Sequence, residues 1–507
     1  MVYPIGILLA GSPVVYLVGR ASRNKALTGT VAVVALLLSG YVMYLLTAIQ
    51  PQELDITLPG MEYLVGNEIV TRPVEVEEGS QFFAAFAANG LATFMAVTSL
   101  GLAVLVAIFS IGYMERKNIG KYYALLLMMT AGMVGIGFAG DLFNLFVFFE
   151  LMSLASFALV AFEDRWEPVE AGVKYLLLSA MGSMVALLGI VLVFAYTGTL
   201  NLAQLEGMSI VTLLPGHVML AIAALFIAGF GVKAAIVPMH TWLPDAHSAA
   251  PSGISAMLSG MVISAGLVTM IKALVVLPAI EMKLILPALA VVTMLVGNLM
   301  AWTQKDLKRM LAYSSIAHMG YILAGVGVAF SAPALAGFEG MRGGLYHILN
   351  HAIMKGGAFL CAGAILSVIG TRDLKEMAGI GRKIPLIGIC FGIFALALAG
   401  APPLNGFVSK VFICKAGMEL GATGFVLIVM VIINSLLSLF YYLPAMNKII
   451  FAPEMSAKVK QGPSQLPACM VLAIFVLALL TIALGIQPQL GLDLVDPAAA
   501  FISGLMG

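Results

Sequence analysis

The chain has 507 residues, of which 61% are hydrophobic and 10% are charged, and its mean hydropathy is +1.06. A soluble core could not absorb so many apolar side chains, so the composition excludes a soluble globular protein and indicates a multi-pass membrane protein. The net charge of +1 offers no basic surface for nucleic acid, and the sequence has no Gly-rich phosphate loop of the kind an ATP-driven pump needs.

Fourteen apolar runs of roughly 20 residues predict an all-α polytopic fold with about 14 transmembrane helices, numbered here as spans 1 to 14. They lie near 4–19, 28–49, 82–113, 122–140, 142–162, 171–196, 218–238, 253–278, 284–302, 311–331, 344–369, 386–416, 422–446 and 468–487. Span 1 has no positive leader region or convincing cleavage site, so it is predicted to be a retained helix. Span 3 exceeds what a bilayer needs and is expected to tilt or project. Asp141 is predicted to cap span 5.

The loops carry an asymmetric charge distribution. Loops after odd-numbered spans contain most of the cations: Arg20, Arg23, Lys25, Arg116, Lys117, Lys121, Arg165, Lys305, Lys308, Arg309, Arg372, Lys375, Arg382, Lys383, Lys448, Lys458 and Lys460. The other side has chiefly Arg72, Lys283 and Arg342, together with an acidic loop over 53–78. Because cytoplasmic loops are enriched in Lys and Arg, the odd loops are predicted to be cytoplasmic, with both termini outside the cell membrane.

One carboxylate and five lysines fall inside the spans. Glu150, in N-L-F-V-F-F-E-L-M-S, is the only carboxylate well inside an apolar run. The lysines are Lys174, Lys233, Lys272, Lys355 and Lys410. An isolated charge at the bilayer centre costs about 2.5–3.5 kcal/mol on insertion scales, so such charges indicate function. Placing Glu150 near Lys233 would favour both charged forms. A lysine whose carboxylate partner moves would then alternately hold and release a proton.

Three histidines lie in spans 10 and 11. His318 is in span 10, and His347, His351 and Lys355 recur every four residues in span 11, so these last three share one helix face. A proton relay needs such an ionisable stripe because each transfer covers only about one hydrogen bond or one water.

The stretch over 230–251 interrupts span 7, since Pro238 follows Lys233 and breaks the helix. The polar residues after this break are His240, Trp242, Asp245 and His247. Broken helices at membrane depth are tolerated where they line a cavity or pack inside protein, so this stretch is predicted to form half of an ion path. The alternative is that His240 and His247 only tie the broken helix together with Asp245.

Structural roles stay open for other charges as well. Lys272, late in span 8, and Lys174, early in span 6, could extend to the membrane interface. His318 could be a hydrogen-bonded core histidine. Three charges could serve only as structural pairs: Glu150, Lys233 and Lys410.

The four cysteines form no Cys-x-x-Cys pair, so they are interpreted as small apolar residues in helices, and neither a metal nor a cofactor is expected. They are Cys361, Cys390, Cys414 and Cys469.

Span 12 contains A-P-P-L-N-G over 401–406 and must also be interrupted. Lys233 lies just before the break in span 7, and Lys410 lies just after the break in span 12. The two elements are five helices apart, an odd number, so a repeat relating them would have inverted topology. Inverted repeats with discontinuous helices are a recurrent transporter plan.

Four ordered motifs carry a resemblance to a known family. They are D-L-F-N-L-F-V-F-F-E (141–150), K-A-A-I-V-P-M-H-T-W-L-P-D-A-H (233–247), L-A-Y-S-S-I-A-H-M-G-Y (311–321) and P-P-L-N-G-F-V-S-K (402–410). Over about residues 80–450 the chain resembles the proton-translocating, antiporter-like membrane subunits of respiratory complex I. It is more similar still to the D-type subunits of the multisubunit Na+/H+ antiporters and to the related subunits of archaeal membrane-bound hydrogenases.

The resemblance implies two inverted five-helix repeats, spans 4–8 and 9–13, with discontinuous helices 7 and 12. The corresponding segments are an N-terminal three-helix part (1–121), a first repeat (122–278), a second repeat (284–446) and a C-terminal loop with helix 14 (447–507). It also implies a polar axis across the membrane, whose matching residues are Glu150, Lys233 as its paired lysine, His318, His347, His351, Lys355 and, near the exit, Lys410.

Span 8 departs from the family pattern. Many relatives have a lysine or histidine in its middle, where this chain reads L-S-G-M-V-I-S-A-G and offers only Ser259 and Ser264. Lys272 is displaced toward the end of the helix. Water, or Lys272 reaching back, is therefore expected to bridge the two halves.

The sequence thus predicts a non-redox pumping subunit that moves H+, alone or in exchange for Na+, inside a larger energy-converting complex. Its expected partners are other membrane subunits, including further antiporter-like ones, a redox module, and lipid. No catalytic residue is assigned, because any enzymatic activity would belong to the parent complex, which could be a hydrogenase, sulfur reductase, dehydrogenase or antiporter. Two alternatives are a stand-alone cation/solute transporter and a membrane scaffold whose buried charges only pair helices.

Overall fold

The computed structural model describes residues 2–22, 24–48, 62–65, 68–70, 85–208, 210–277, 282–332 and 334–506. Of the predicted loop features, Arg23, Arg72 and most of the acidic loop over 53–78 lie outside the described residues, as does the side chain of Lys283.

Helices account for all fourteen predicted spans. In chain order the helices of the spans are Tyr3–Ala21, Lys25–Ala48, Gly90–Tyr113, Ile119–Phe138, Leu142–Val160, Trp166–Thr197, Gly216–Lys233, Ser252–Met257 continued by a π turn Leu258–Val262 and by Ile263–Val275, Met282–Trp302, Leu307–Ala329, Ala334–Ile369, Pro385–Ala399 with Asn405–Gly417, Gly421–Met446 and Ala468–Ile486. Shorter helices are Leu202–Gly207, Ile210–Leu213, Leu243–Ala249, Ile380–Lys383 and Ala457–Gln461, with a 3₁₀ turn Met418–Leu420 and a π turn Asn447–Phe451.

Within the described residues, 13 helices are long and apolar enough to cross a membrane. One of them joins the second part of span 12 to span 13, and the first part of span 12 is the shorter helix Pro385–Ala399. The polytopic helical fold predicted from hydropathy is therefore confirmed. The division into two inverted repeats stays a prediction.

Span 3 begins later than predicted. The expected run over 82–113 contains a strand, Ala85–Ala88, and the helix begins at Gly90. Short apolar runs fit strand and helix alike by periodicity, which explains the error. Asn89 fixes the helix start because its side-chain oxygen accepts a hydrogen bond from the Ala92 backbone N–H at 2.9 Å.

In the described part of the chain, strands β1 (Glu62–Val65), β2 (Glu68–Val70) and β3 (Ala85–Ala88) form a small sheet in the order β2-β1-β3. Strand β1 pairs antiparallel with β2 and parallel with β3. Gly140 N–H bonds the Ala85 carbonyl at 2.8 Å, which joins the sheet to the start of span 5. Asp141 caps span 5 as predicted, since its side chain accepts from the Asn144 backbone N–H at 2.7 Å.

Two spans are interrupted at prolines. The helix of span 7 ends at Lys233 and helical structure resumes at Leu243–Ala249. Backbone N–H groups bond carbonyls freed at this break, from Ala235 to Val232 at 3.2 Å and from Ile236 to Gly231 at 3.0 Å. The Trp242 Nε1–H also donates to the Val232 carbonyl at 2.7 Å. In span 12 the helix Pro385–Ala399 ends before Pro402-Pro403, and Lys410 occupies its free carbonyls.

A helix that hydropathy did not predict, Gln489–Leu505, follows span 14. Asp496 on this helix accepts two hydrogen bonds from Arg342 of span 11, at 2.7 Å from Nε and 3.1 Å from Nη2. A Cβ on Gly90 would overlap the Pro497 carbonyl, so only glycine allows this helix to pack on span 3. Its buried residues recur with helical spacing. This amphipathic pattern predicts a helix, but a count based on mean hydropathy does not detect it.

Spans 8, 10 and 11 form the centre of the molecule. The helices of spans 8 and 10 are buried along their whole length, and that of span 11 along most of it. Spans 1 and 2 are mostly exposed. The polar side chains of the central spans therefore face protein rather than lipid.

Candidate functional site

Lys233 is the last residue of its helix and is fully buried. Its Nζ donates a hydrogen bond to the Tyr175 hydroxyl at 2.9 Å. The same ammonium lies 4.3 Å from the Tyr175 ring centroid and 4.5 Å from the Phe157 ring centroid. Aromatic faces carry negative charge density that attracts a cation. The lysine is thus held by one hydroxyl and by the rings around it.

Glu150, in span 5, is half-buried and accepts a hydrogen bond from the Ser183 hydroxyl of span 6. Among the described residues no direct ion pair joins Glu150 to Lys233. The resemblance implied such a pair, and here each charge bonds a hydroxyl of span 6 instead. The structure brings both residues to the same group of helices without direct contact.

The three histidines of spans 10 and 11 meet in the second half of the molecule. His318 Nδ1 and His347 Nε2 are 2.9 Å apart, and both side chains are buried. His347 Nδ1 lies 2.8 Å from the Ser409 hydroxyl of span 12. These contacts place four hydrogen-bonding ring nitrogens or hydroxyls in one row. Imidazole can accept a proton at one nitrogen and donate from the other, as a relay requires.

His351 and Lys355 continue this row on span 11. The His351 ring centroid is 5.3 Å from that of His318, and neither ring nitrogen of His351 has a hydrogen-bond partner among the described residues. Lys355 Nζ donates to the Leu311 carbonyl at 2.9 Å and to the Tyr442 hydroxyl at 3.2 Å. The shared face of His347, His351 and Lys355 predicted from their spacing is therefore turned into the protein core.

Lys410 closes the row in span 12. Its Nζ donates to the carbonyls of Leu398 and Ala399 at 3.3 and 3.2 Å. It also lies 4.5 Å from the ring centroid of Tyr321, and that ring is 5.7 Å from the ring of His347. The lysine is therefore a neighbour of the histidine row and also binds the end of a helix.

Lys272 lies away from the middle of span 8. It is buried, and its Nζ donates to the carbonyls of Ile136, Gly137 and Ala139 at 3.0, 3.1 and 2.6 Å. These carbonyls belong to the C-terminal end of span 4. Lys272 therefore bonds the end of span 4 in the first half and does not reach back to the second half, whereas a bridge through water stays a prediction.

A serine pair occupies the middle of span 8. Ser259 Oγ is 2.6 Å from Ser315 Oγ of span 10, and both residues are fully buried. Ser264 instead bonds the Gly260 carbonyl of its own helix at 3.3 Å. Of the two serines named from sequence, Ser259 is the one that contacts the second half.

His247 also faces the second half. It is fully buried, stacks on Phe359 of span 11 with ring centroids 5.0 Å apart, and has no hydrogen-bond partner for either ring nitrogen among the described residues. His240 is half-buried with an unpartnered Nδ1. Among the described residues no hydrogen bond joins either histidine to Asp245, and the alternative that the three residues hold the broken helix together stays a prediction.

Asp245 belongs to an ion-pair network at the rim of the site. It contacts Arg309 Nη1 at 2.7 Å and Lys174 Nζ at 3.6 Å, and Lys174 also contacts Glu170 at 2.8 Å. Lys174 is half-exposed. This agrees with the interfacial interpretation of Lys174 and places it outside the buried row.

Several residues of the site were not identified from sequence, among them Ser315, Tyr321 and Ser409. Tyr175 and Ser183 bind the charges of the first half, and Tyr442 binds Lys355. Lys308, expected in a cytoplasmic loop, is instead buried and donates to the Ala250 carbonyl at 2.5 Å. The hydroxyls gave no signal because serine and tyrosine are ordinary residues of apolar spans. Lys308 is the second residue of the helix Leu307–Ala329, and this place inside a helix rather than in a loop was the available signal for its burial.

Comparison with known proteins identifies a family. The family described as "NADH:quinone oxidoreductase/Mrp antiporter, TM" matches residues 139–438, more than half of the chain. NADH-quinone oxidoreductase subunit N of Desulforudis audaxviator is 30% identical over 501 residues, which cover 96% of this chain and 94% of the relative. F(420)H(2) dehydrogenase subunit N of Methanosarcina mazei is 35% identical over 425 residues, which cover 80% and 83%.

Solved structures share the fold. A chain of the membrane-bound sulfane sulfur reductase, an archaeal respiratory membrane complex, is 27% identical with a TM-score of 0.84, and the match covers 99% of this chain and 97% of that one. A chain of the Mrp complex from Dietzia sp. DQ12-45-1b is 24% identical with a TM-score of 0.80 over 100% of both chains, and that likeness concerns the fold alone.

The predicted resemblance to antiporter-like subunits is confirmed, whereas the finer likeness to the D-type subunits stays a prediction because the relatives above are named subunit N. The prediction of a multi-pass membrane protein is confirmed too. With the matching domain, near-full-length relatives and the shared fold together, the chain belongs to the NADH:quinone oxidoreductase/Mrp antiporter family and is one of its antiporter-like membrane subunits.

Proposed function

We propose that this subunit moves protons across the membrane along the buried residues of the two halves. The proposed path consists of Glu150, Lys233, His318, His347, His351, Lys355 and Lys410. The observation that carries the proposal is the chain of contacts from His318 through His347 to Ser409, at 2.9 and 2.8 Å, inside a fully buried helix centre. Apolar side chains would fill this core at a lower desolvation cost than imidazoles, so packing alone does not explain these contacts.

The chemistry of the row favours H+ over Na+. Lysine and histidine exchange protons at nitrogen, and an ammonium group cannot ligate a cation. Na+ prefers oxygen ligands, and the row offers mainly nitrogen. We therefore assign H+ as the transported ion.

The subunit works within a larger complex. Its relatives are named as subunits of an NADH-quinone oxidoreductase and of an F(420)H(2) dehydrogenase, and a solved neighbour belongs to a respiratory membrane complex. We infer from these relatives that the energy for transport comes from partner subunits, which include a redox module and further antiporter-like subunits.

Proton movement into sealed vesicles that hold the intact parent complex tests the proposal. Lys233→Ala and Glu150→Gln are compared with wild type after assembly is checked on native gels. The matched controls are Lys121→Ala and Glu454→Gln, whose side chains are exposed. We expect both site variants to assemble and to lose proton uptake while both controls keep it. Unchanged uptake in the assembled site variants would refute the pump and leave the scaffold.

A stand-alone solute transporter makes a different prediction in the same vesicles. It would translocate without its partner subunits, whereas the proposed subunit needs them. Uptake by the isolated chain, dependent on an added solute, would favour that alternative.

We also propose that both termini lie outside the cell membrane, with the odd-numbered loops in the cytoplasm. The support is the charge asymmetry of the loops, since Lys and Arg are retained on the cytoplasmic side. A single cysteine introduced at Lys117, compared with one introduced at Gly504, decides this by labelling with a membrane-impermeant thiol reagent in intact cells. We expect labelling at position 504 only, and the reverse pattern would invert the topology.

A further inference from the structure

The two opposite charges of the first half are each bound by a neutral hydroxyl of one helix, Trp166–Thr197. Lys233 donates to Tyr175 at 2.9 Å, and Ser183 donates to Glu150. A bare lysine and a bare carboxylate in a low-dielectric core would attract each other strongly. Each hydroxyl therefore stabilises a charged group that the opposite charge would otherwise stabilise.

Both hydroxyls lie on one face of this helix. Tyr175 and Ser183 are eight residues apart, which places them two helical steps of i,i+4 from each other. Ser179 lies midway, is 2% exposed, and has a hydroxyl without a hydrogen-bond partner among the described residues. The face is thus polar over its whole length between the two charges.

The Tyr175 hydroxyl is oriented to accept from the lysine. Its oxygen is 3.1 Å from Ser156 Oγ, and that serine donates its own proton to the Ser153 carbonyl at 2.7 Å. Ser156 therefore accepts from Tyr175, whose lone pairs remain available to the ammonium.

The ring of Tyr175 is fixed as well. It stacks on Trp242 with centroids 3.8 Å apart and an angle of 6° between the planes, and it meets Phe157 edge-on at 4.5 Å. Trp242 is itself held by its hydrogen bond to the Val232 carbonyl at 2.7 Å, one residue before Lys233. The partner of the ammonium is therefore a rigid part of the break in span 7.

We propose that Tyr175 and Ser183 are exchange partners, which hold Lys233 and Glu150 apart in the state seen here and release them to form a direct ion pair in a second state. This inference rests on the proposed function, since only a transporting axis needs two states of the pair. A ligand or neighbour can shift such an equilibrium only by binding the two states differently. The strength of the two hydroxyl hydrogen bonds sets the free energy needed to move the pair from the first state to the second.

A carbodiimide crosslink measures the pair directly. A membrane-permeant carbodiimide activates a carboxyl group, and an amine in contact with it forms an amide with loss of the urea. The intact parent complex is treated with dicyclohexylcarbodiimide, and the Glu150–Lys233 crosslinked peptide is quantified by mass spectrometry. Glu150→Gln provides the blank.

Three variants remove the exchange partners or their support: Tyr175→Phe, Ser183→Ala and Ser156→Ala. Two matched controls remove equally buried hydroxyls elsewhere: Tyr122→Phe, which loses a bond of 2.8 Å to Ser110, and Ser39→Ala, which loses one of 2.9 Å to the Pro4 carbonyl. Assembly is verified for each.

We expect low crosslinking in wild type and in both controls. Loss of a hydrogen bond to a charged group shifts an equilibrium by about tenfold, so we expect yields to rise by roughly that factor in Tyr175→Phe and Ser183→Ala and by less in Ser156→Ala. If Tyr175→Phe fails to assemble, Ser183→Ala decides alone.

A Glu150–Lys233 crosslink yield that is the same in the assembled variants as in wild type would overturn the proposal that Tyr175 and Ser183 are exchange partners. The proposed function fails separately, when Lys233→Ala and Glu150→Gln still translocate protons. Loss of translocation in those two variants with no rise in crosslinking in the others would keep the pump and reject the exchange partners.

Discussion

Ser259 and Ser315 join span 8 to span 10 by hydroxyl groups 2.6 Å apart, where the resemblance implied a lysine or histidine. Ser315 also donates to the Leu311 carbonyl at 2.9 Å, and Lys355 donates to the same carbonyl at 2.9 Å. A neutral hydroxyl pair and one shared backbone oxygen thus connect the middle of span 8 to the lysine of span 11. Two serine hydroxyls thus occupy the place of the expected cation, and Lys272 bonds span 4 instead.

Ser259→Ala removes this connection. We expect proton translocation in vesicles to fall about fivefold, the factor for one neutral hydrogen bond, with normal assembly. Ser259→Thr retains the hydroxyl and should retain most of the rate. Thr269→Val is the control, since Thr269 lies in the same span and bonds only its own helix, at 2.8 Å. A rate in Ser259→Ala equal to that of this control would show that the pair is structural.

His347→Gln tests the relay through the histidine row. Glutamine can bond either His318 or Ser409, but it cannot accept a proton at one atom and release it from another. We expect translocation to fall by roughly a hundredfold or more, the usual effect of removing a proton-transfer group. The exposed His217 provides the control His217→Gln. Full translocation by the assembled His347→Gln variant would remove this residue from the path.

Gly406→Ala should disrupt the break in span 12. A Cβ at this position would overlap the Ala397 carbonyl oxygen, so the two helices of the span would have to separate. Overpacking of this kind costs about 1–3 kcal/mol. The measurement is thermal unfolding followed with a dye that reacts with buried thiols such as Cys361 and Cys390. Gly101→Ala, with open space around the added methyl, should unfold like wild type.

Arg342→Ala should loosen the C-terminal helix. The guanidinium binds Asp496 through two nitrogens, and the two side chains are 19% and 35% exposed, so solvent screening limits the loss to about 1 kcal/mol. Arg342→Lys cannot form the two-pronged contact and should recover only part of the loss. The thiol-dye assay measures both variants, and equal unfolding temperatures for all three proteins would contradict the role of the pair.

The sequence was most informative where one physical rule dominates. Hydropathy located all the spans, and the acidic side chain of Asp141 at the start of span 5 identified its cap. The spacing of His347, His351 and Lys355 placed them on one face, which the fold turns inward. These features depend on residues close in sequence or on the cost of placing charge in lipid.

Contacts between distant residues were harder to predict. Whether Lys233 bonds Glu150 or Tyr175 depends on how spans 5, 6 and 7 pack against one another. The role of Lys272 was predicted from its position late in span 8, whereas its carbonyl partners belong to the neighbouring span 4. The helix Gln489–Leu505 was missed because its amphipathic pattern lowers its mean hydropathy.

The lysines bound to helix ends couple two quantities that are usually independent, proton occupancy and backbone geometry. Lys410 gives one N–H to each of two carbonyls at the end of Pro385–Ala399, and Lys272 gives its N–H groups to three at the end of span 4. A neutral amine has one N–H fewer than an ammonium. When Lys272 loses a proton, one of its three carbonyls has to find another donor or move. Loss of a proton from Lys272 would therefore alter the end of span 4, whereas Lys410, with two carbonyl partners, would keep both hydrogen bonds as a neutral amine.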